Sequence, residues 1–322
     1  MKSRSHRGRR GQILVFLALA AVGLIGIAAL GIDVFYLYWN KNRLQAATDA
    51  AALAGATYLN NIQFAGNNPS CVYSTDAQNA ACTYALNNGI TLSEITGLVA
   101  NTAAETMTVS ARRTLSALFA RVVGIQNFTV SAISVASLKG LGSASGVAPI
   151  GLDSQTPYTY GQAINLRLSN CGGGCWQGLG LQSLSKGNSG SAAFQQNLQP
   201  GCSCTVSVGD KLTAEPGVKT SAVVNGIGAR IAAGIAADPN GTWSSHTVND
   251  ARAVVVPLVN WSSGCNGGRC SASVPVVGFA MVWIVSVSSG GDVSAVFIRQ
   301  VASGTPGSGG GDMGAVHAQL IQ

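Results

Sequence analysis

The sequence contains little charge. Asp, Glu, Lys and Arg make up 10% of its 322 residues, and it has only three histidines. Small residues, above all Gly, Ala, Ser, Thr and Asn, take their place. Such sparse charge is unusual for a cytosolic enzyme and is typical of a secreted β-rich protein. The length allows an anchoring segment and one or two domains with a buried core.

Beyond its first ten residues the sequence also lacks a basic patch. The formal net charge is +7, but five of the nineteen basic residues precede residue 11. The remainder carries fourteen basic and twelve acidic residues, a net charge of +2. Because nucleic-acid binding needs a basic patch on the folded domain, this function class is excluded. The five N-terminal basic residues are Lys2, Arg4, Arg7, Arg9 and Arg10.

No charged or strongly polar residue interrupts the segment from Ile13 to Ile32. As a helix it is roughly 30 Å long, which matches the hydrocarbon core of a bilayer. The positive-inside rule makes the five basic residues topology determinants: it places the tail, 1–12, in the cytoplasm and the rest of the chain outside it. The sequence therefore predicts a single-pass protein of the bacterial cytoplasmic (inner) membrane, with the lipid bilayer as one partner.

A cleaved signal peptide is the alternative interpretation of this segment. A signal peptide has an apolar region of about 7–15 residues that ends in an A-x-A-like site. Here Asp33 and four aromatic residues follow instead, and the aromatics resemble an interfacial belt. We therefore expect a retained signal-anchor. The aromatic residues are Phe35, Tyr36, Tyr38 and Trp39.

No cysteine precedes the apolar segment, and the eight that follow are even in number. An oxidising compartment favours disulfides over metal sites. We expect Cys71 and Cys82 to form a local bridge, and Cys265 and Cys270 to form another across a tight hairpin. Neighbours in C-x-C on a strand seldom bond each other. We therefore expect Cys202 and Cys204 to bond outward, to Cys171 and Cys175. Four thiolates binding zinc are the less favoured alternative, since C-x-C is not a usual zinc pair.

The remaining pattern predicts an α+β fold with four regions after the tail and the anchor. These are a helical extension (33–60), a small α/β domain (61–138), a Gly/Ser linker (139–147) and a mostly antiparallel β-rich domain (148–322), with a Gly-rich loop at 303–311 before the last strand. In the extension, the small residues Ala47, Ala51 and Gly55 predict close packing against a protein surface. Helices are predicted at 75–86, 114–123 and 220–237, and strands at 106–111, 128–136, 163–168, 204–208, 251–259, 274–287 and 293–301.

Three elements in order resemble the TadE/TadG-like proteins of the Tad (tight adherence, Flp-type) pilus apparatus. They are Arg9-Arg-Gly-Gln12 before the apolar run, Gly31-Ile-Asp-Val34 at its end, and Arg43-Leu-Gln-Ala-Ala-Thr-Asp-Ala-Ala-Ala-Leu-Ala-Gly55. The resemblance implies a membrane-anchored, non-enzymatic component of pilus assembly with protein partners. Weaker resemblance continues around Leu118–Gly124 and in the C-terminal half.

The sequence departs from the processed members of this family. Prepilin-type cleavage follows a Gly and needs a Glu five residues into the mature chain, where cleavage after Gly11 would place Phe16. No acidic residue occurs between positions 12 and 32. A retained, TadG-like anchor fits better than a processed pseudopilin.

No sequence pattern for catalysis, cofactor binding or metal binding is complete. Gly187-Asn-Ser-Gly-Ser191 is similar to a serine-protease element, but nothing around His246 or His317 completes a triad. Walker and dinucleotide fingerprints are missing, and Asp153-Ser-Gln-Thr156 lacks the D-x-S-x-S metal motif found in some relatives. We expect no catalytic, cofactor or metal residues. The alternatives kept open are an envelope hydrolase that uses Ser189 or scattered acids, and a secreted adhesin or binding module.

Overall fold

The structure is a computed structural model. It describes residues 8–59, 63–64, 66, 68–166, 177–180, 191–214, 220–260, 265–266, 269–270, 273–307 and 314–321. Four α-helices, two seven-stranded sheets and one two-stranded sheet occur in these residues, which confirms the predicted α+β class. The α-helices are α1 (Gly8–Thr57), α2 (Asp76–Asn87), α3 (Ser191–Leu198) and α4 (Thr220–Ala237).

The strands are numbered in chain order. They are β1 (Ile95–Asn101), β2 (Thr106–Ser116), β3 (Asn127–Ser145), β4 (Ile150–Asp153), β5 (Ala163–Leu166), β6 (Gln177–Gly180), β7 (Thr205–Ser207), β8 (Lys211–Ala214), β9 (Ala253–Val259), β10 (Cys265–Asn266), β11 (Arg269–Cys270), β12 (Ser273–Val287), β13 (Val293–Ile298), β14 (Gln300–Val301), β15 (Gly304–Pro306) and β16 (Ala315–Leu320).

Helix α1 is one continuous element of 50 residues, about 75 Å long. Its N-terminal half carries exposed apolar side chains, whereas its C-terminal half, from Asp33 onward, has a buried face that packs against the first sheet. This confirms that the predicted apolar span and its helical extension form one helix.

The first sheet has the order β1-β2-β3-β16-β14, and β7 and β15 pair with the C-terminal part of β3. Alternate residues of β2 and β3 are buried on one face, as in a sheet that packs helices on one side only. Helices α1 and α2 cover that face, and the core between them includes Leu44, Met107, Val109 and Val316. The outer face is polar or exposed, for example at Ile133.

The second sheet has the order β5-β13-β12-β8-β6-β4-β9, and an additional β12–β9 pairing closes part of it into a ring. Apart from the parallel β4–β9 contact, its pairings are antiparallel, as predicted. One face packs on α3 and α4, and the other packs on the end of β3 and on β7. Because both faces are covered, β9 and β12 consist of almost continuous apolar residues.

Strand β3 belongs to both halves of the molecule, and this corrects the predicted linker. Residues 139–147 were expected to form a Gly/Ser linker, but Lys139–Ser145 continues β3 and pairs with β16, β15 and β7. The glycines allow close strand contact: a Cβ on Gly142 would lie 2.8 Å from the Cα of Gly307. Small residues here signal tight packing between strands.

The predicted helix at 114–123 is also wrong. Strand β2 continues to Ser116, because Thr114, Leu115 and Ser116 pair with residues at the start of β3. Only a 3-10 turn, Ala120–Val123, remains of the helix. The predictions of α2 and α4 are confirmed within a few residues, whereas α3 was missed. The strands predicted at 106–111 and 128–136 exist but continue to Ser116 and Ser145. The Gly-rich loop predicted at 303–311 contains strand β15.

The disulfides agree with the sequence at one pair and disagree at another. Cys71 bonds to Cys82, as predicted. Cys202 bonds to Cys204, although we expected each to pair with the Cys171 region. The reason is that these residues precede β7 in a bend that brings their Cα atoms within 5.1 Å, so they do not have the extended geometry assumed from C-x-C.

The other four cysteines are less completely placed. Cys171 and Cys175 lie outside the described residues. Cys265 and Cys270 are directly opposite in the two-residue strands β10 and β11, as the predicted hairpin requires. The bridge between them stays a prediction.

An ion pair holds the turn before β1 against β2. Arg113 donates from Nε to Glu94 Oε1 (2.5 Å) and from Nη2 to Glu94 Oε2 (2.9 Å). Glu94 also accepts the backbone N–H of Thr91, which completes a capping box. The hydrogen bonds from Arg113, with smaller help from Thr91, outweigh burial and lower the pKa of Glu94 below 4.5.

This pair predicts a pH-dependent contribution to stability. Since the folded-state pKa is lowered, the contribution is complete above about pH 4.5 and is lost as the pH falls through the folded pKa. We expect Glu94→Gln to lower the free energy of unfolding by about 1–3 kcal/mol at pH 7 and by less at pH 3. Chemical denaturation of both proteins at the two pH values measures this, and an equal gap at both would contradict it.

Candidate functional site at the seat of the N-terminal helix

The first half of α1 exposes apolar side chains around its whole circumference. From Leu14 to Ile32 its large residues are about half to two-thirds exposed. A helix that is apolar on every side and unpacked is typical of a lipid-embedded segment. By length and composition the helix is a candidate membrane span. Among the described helices, α4 meets the same criteria.

Helix α4 differs from α1 because it is packed into the second half of the molecule. Ala222, Val223 and Ile227 are buried against α3 and the sheet. Arg230 is also buried, and it donates from Nε to Leu198 O and from Nη1 to Ala251 O. Burial lowers its pKa to about 10. Helix α4 is therefore a core helix of the domain.

Asp33 marks the point where α1 passes from its exposed half to its buried half. Its side chain is 2% exposed. The carboxylate accepts the backbone N–H groups of Leu118 (2.9 Å to Oδ1), Phe119 (3.0 Å to Oδ2) and Ala120 (2.7 Å to Oδ2). These donors begin the 3-10 turn Ala120–Val123, so Asp33 caps this turn from a distant helix. The Asp of the Gly31-Ile-Asp-Val34 element therefore has a structural role.

A buried polar cluster lies three turns further along α1. Gln45 donates from Nε2 to Asp49 Oδ1 and to Ser134 Oγ on β3. Ser134 Oγ lies 2.6 Å from Asp49 Oδ1 and 2.7 Å from Thr48 Oγ1. Because buried polar groups must be paired, this network fixes one register of the helix on the sheet. The sequence analysis quoted these residues only as part of a motif.

Small residues bring α1 close to its neighbours, as predicted. Ala47 and Ala51 are buried in the first core. A Cβ on Gly55 would lie 2.7 Å from Met107 Cγ and 2.9 Å from Ala77 O. The third sequence element, Arg43–Gly55, therefore supplies the contact surface between α1, α2 and the sheet.

Aromatic side chains surround the exit of the helix from its exposed half. Phe35 and Tyr38 are largely exposed, and Tyr36 is partly buried against the core. The Arg43 guanidinium lies 4.8 Å from the centre of the Trp39 ring, a cation–π geometry. The role of these rings as an interfacial belt stays a prediction.

The topology determinants are only partly within the described chain. Arg9 and Arg10 belong to the first turns of α1. Lys2, Arg4 and Arg7 lie outside the described residues. Their effect on orientation stays a prediction.

The residues considered for catalysis do not come together in the described part of the chain. Ser189 lies outside it. His246 is buried, with its ring nitrogens against Thr242 O and Gln300 Oε1. His317 is on β16 in the first sheet. No group of three or more His, Cys, Asp or Glu residues suited to a metal occurs among the residues searched.

Sequence reasoning missed a buried ion pair beside His246. Arg252 donates from Nε to Asp250 Oδ1 (2.9 Å) and from Nη2 to Asp250 Oδ2 (2.6 Å). Its guanidinium also lies 4.5 Å from the centre of the Trp283 ring. Arg252 also donates to Asp238 O, past the C-terminus of α4. These contacts join α4 to the second sheet, and the only sequence signal was a D-x-R pair before an apolar strand.

Helix α1 exposes apolar side chains on every side of its first half and packs its second half on a sheet. These two features define a membrane-anchored protein. Residues 11–57 match a family model described as putative Flp pilus-assembly TadE/G-like. The match confirms the resemblance to TadE/TadG-like proteins over this segment. The segment contains the apolar span and the part of α1 that packs on the first sheet. No curated protein and no solved structure is significantly similar to the chain.

The Asp33 cap can be tested by removing its charge. In Asp33→Asn the side chain loses one acceptor oxygen while three N–H donors remain, at a cost of about 2 kcal/mol. We expect the amides of residues 118–120 to exchange with deuterium about thirty-fold faster, as this energy implies. Asp76→Asn on α2 removes the same charge elsewhere and should leave these amides protected. Unchanged exchange in Asp33→Asn would contradict the assignment.

The close packing at Gly55 makes a second prediction. Gly55→Ala gains helix propensity of about 1 kcal/mol, but the overpacking cost of about 1–3 kcal/mol exceeds it. We expect a net destabilisation of up to about 2 kcal/mol in thermal or chemical unfolding. Gly228→Ala on α4 is the matched control, because no atom lies within 4 Å of its Cβ position. It should be neutral or stabilising.

Proposed function

We propose that this chain is a non-enzymatic structural component of a Tad/Flp-type pilus assembly (tight adherence) system. It is anchored in the bacterial cytoplasmic membrane by residues 13–32, with its N-terminus in the cytoplasm and its folded part outside. It acts through protein–protein contacts with other components of the assembly. The family match of residues 11–57 is the observation that carries this proposal.

The form of the anchor supports a structural role. The matched segment supplies both the apolar span and the residues that seat α1 on the sheet, from Asp33 to Gly55. The span therefore joins the folded part through a continuous helix and a shared core. A rigid link of this kind transmits position and load between a membrane and a partner, which a flexible tether does not.

The orientation proposed here follows from the charge of the tail. Five basic residues precede the span, and the residue that follows it is Asp33. The disulfide between Cys71 and Cys82 is consistent with an oxidising compartment on the C-terminal side.

Gene deletion tests the proposal. We expect an in-frame deletion to abolish surface pili and surface adherence, and the wild-type gene to restore both. Electron microscopy and an adherence assay measure the outcome. Normal piliation of the deletion strain would reject the proposal.

Complementation with Ser189→Ala separates the structural role from the hydrolase alternative. A structural component restores pili fully with this variant, whereas a hydrolase that uses Ser189 does not. A chain released from its anchor by proteolysis should lose function in pilus assembly. Retained ligand binding by the released chain would favour the adhesin alternative.

A further inference from the structure

The loop between β2 and β3 carries an unusual group of exposed apolar side chains. Within ten residues, 117–126, five large apolar residues are exposed, and Val122 is 90% exposed. Exposed apolar groups of this density mark a contact with another apolar phase. We call residues 118–125 the apolar loop. Its exposed apolar residues are Leu118, Phe119, Val122, Val123 and Ile125.

The apolar loop lies beside the exposed half of α1. Together they enclose an apolar groove of about 460 Å³, lined on the helix side by residues between Val22 and Leu30 and on the loop side by Phe119, Ala120, Val122 and Val123. From residue 22 to residue 30 the helix rises about 12 Å. The loop therefore stands alongside the part of the span nearest its C-terminal end.

The loop is held in this position by specific hydrogen bonds. The Asp33 carboxylate accepts three of its backbone N–H groups. Across its base, the N–H of Ala117 donates to Gln126 O, and inside it the N–H of Ile125 donates to Ala120 O. Gly124 closes the turn with a φ of 91°, a left-handed conformation that suits glycine. The apolar side chains thus project from a turn in which several backbone groups have hydrogen-bond partners within the protein.

The hydrogen bonds of the loop backbone determine which surroundings the loop can enter. A loop enters hydrocarbon only where its polar groups have protein partners, and the 3-10 turn, the Asp33 cap and the cross-base bond supply several of them. The surface of the groove is continuous with the apolar span, so whatever surrounds residues 22–30 also surrounds Val122 and Val123. Arg121 is exposed on the same turn, and its long side chain can reach phosphate groups at the interface.

We propose that the apolar loop inserts into the leaflet on the C-terminal side of the span and forms a second membrane contact. The occupant of the groove is phospholipid acyl chain. The inference rests on the proposed anchoring by α1, but it adds a contact by a part of the chain 85 residues or more from Asp33. Two contacts fix the tilt and rotation of the folded part relative to the membrane, which a single helix leaves free.

Photo-crosslinking of the full chain in liposomes tests this proposal. The photoreactive residue p-benzoylphenylalanine replaces Val122, Leu24 or Val72 in three separate proteins, each reconstituted in phosphatidylethanolamine–phosphatidylglycerol vesicles. Leu24 reports the span, and Val72 is the matched control because it is an exposed valine, 85% exposed, on the loop next to Cys71. Lipid adducts are quantified by mass spectrometry.

The three positions distinguish this proposal from the anchoring on which it rests. We expect lipid adducts at position 122 within about three-fold of those at position 24, and about ten-fold above those at position 72. Adducts at position 24 but only control levels at position 122 would overturn the insertion of the loop and leave the anchor intact. Control levels at both positions would overturn the anchor. Crosslinks from position 122 to a second copy of the chain would also overturn the proposal.

Discussion

Helix α1 has an apolar half that is exposed on every side and a half that packs into a protein core. The rest of the architecture follows from this constraint. The first half of α1 exposes apolar groups on every side, and the second half packs Leu44, Ala47 and Ala51 into a protein core. Asp33 stands where the two halves meet, and its carboxylate is fully engaged by backbone donors of a distant loop. The charge is tolerated there because three N–H groups replace water around it.

The sequence carried enough information for the elements with a strong local signal. The continuous helix, α2 with its Thr75 cap, and α4 follow from periodicity and end signals. The three motifs that resemble the family also indicated the part of α1 that packs on the first sheet. What they do there depends on partners such as Ser134 and Met107, which are more than fifty residues away and cannot be read from a motif.

The errors have a common physical origin. The residues from Thr114 to Val123 have helical spacing, but pairing with β3 fixes the first three as strand, and Asp33 captures the amides that follow. Lys139–Ser145 has a linker composition, yet its small residues allow strands to approach. In each case a tertiary contact outweighs local propensity.

Strand β16 has a consequence for the order in which the molecule is completed. Residues 315–320 pair with β3 in the first sheet, and Val316 enters the same core as Leu44 of α1. The domain that contains α1 is thus completed by a strand that follows the whole of the second sheet in the sequence. Until that segment has been synthesised, residues 136–140 of β3 lack this partner strand and the core around α1 lacks Val316. The first sheet therefore cannot be completed before the strands of the second sheet have been synthesised.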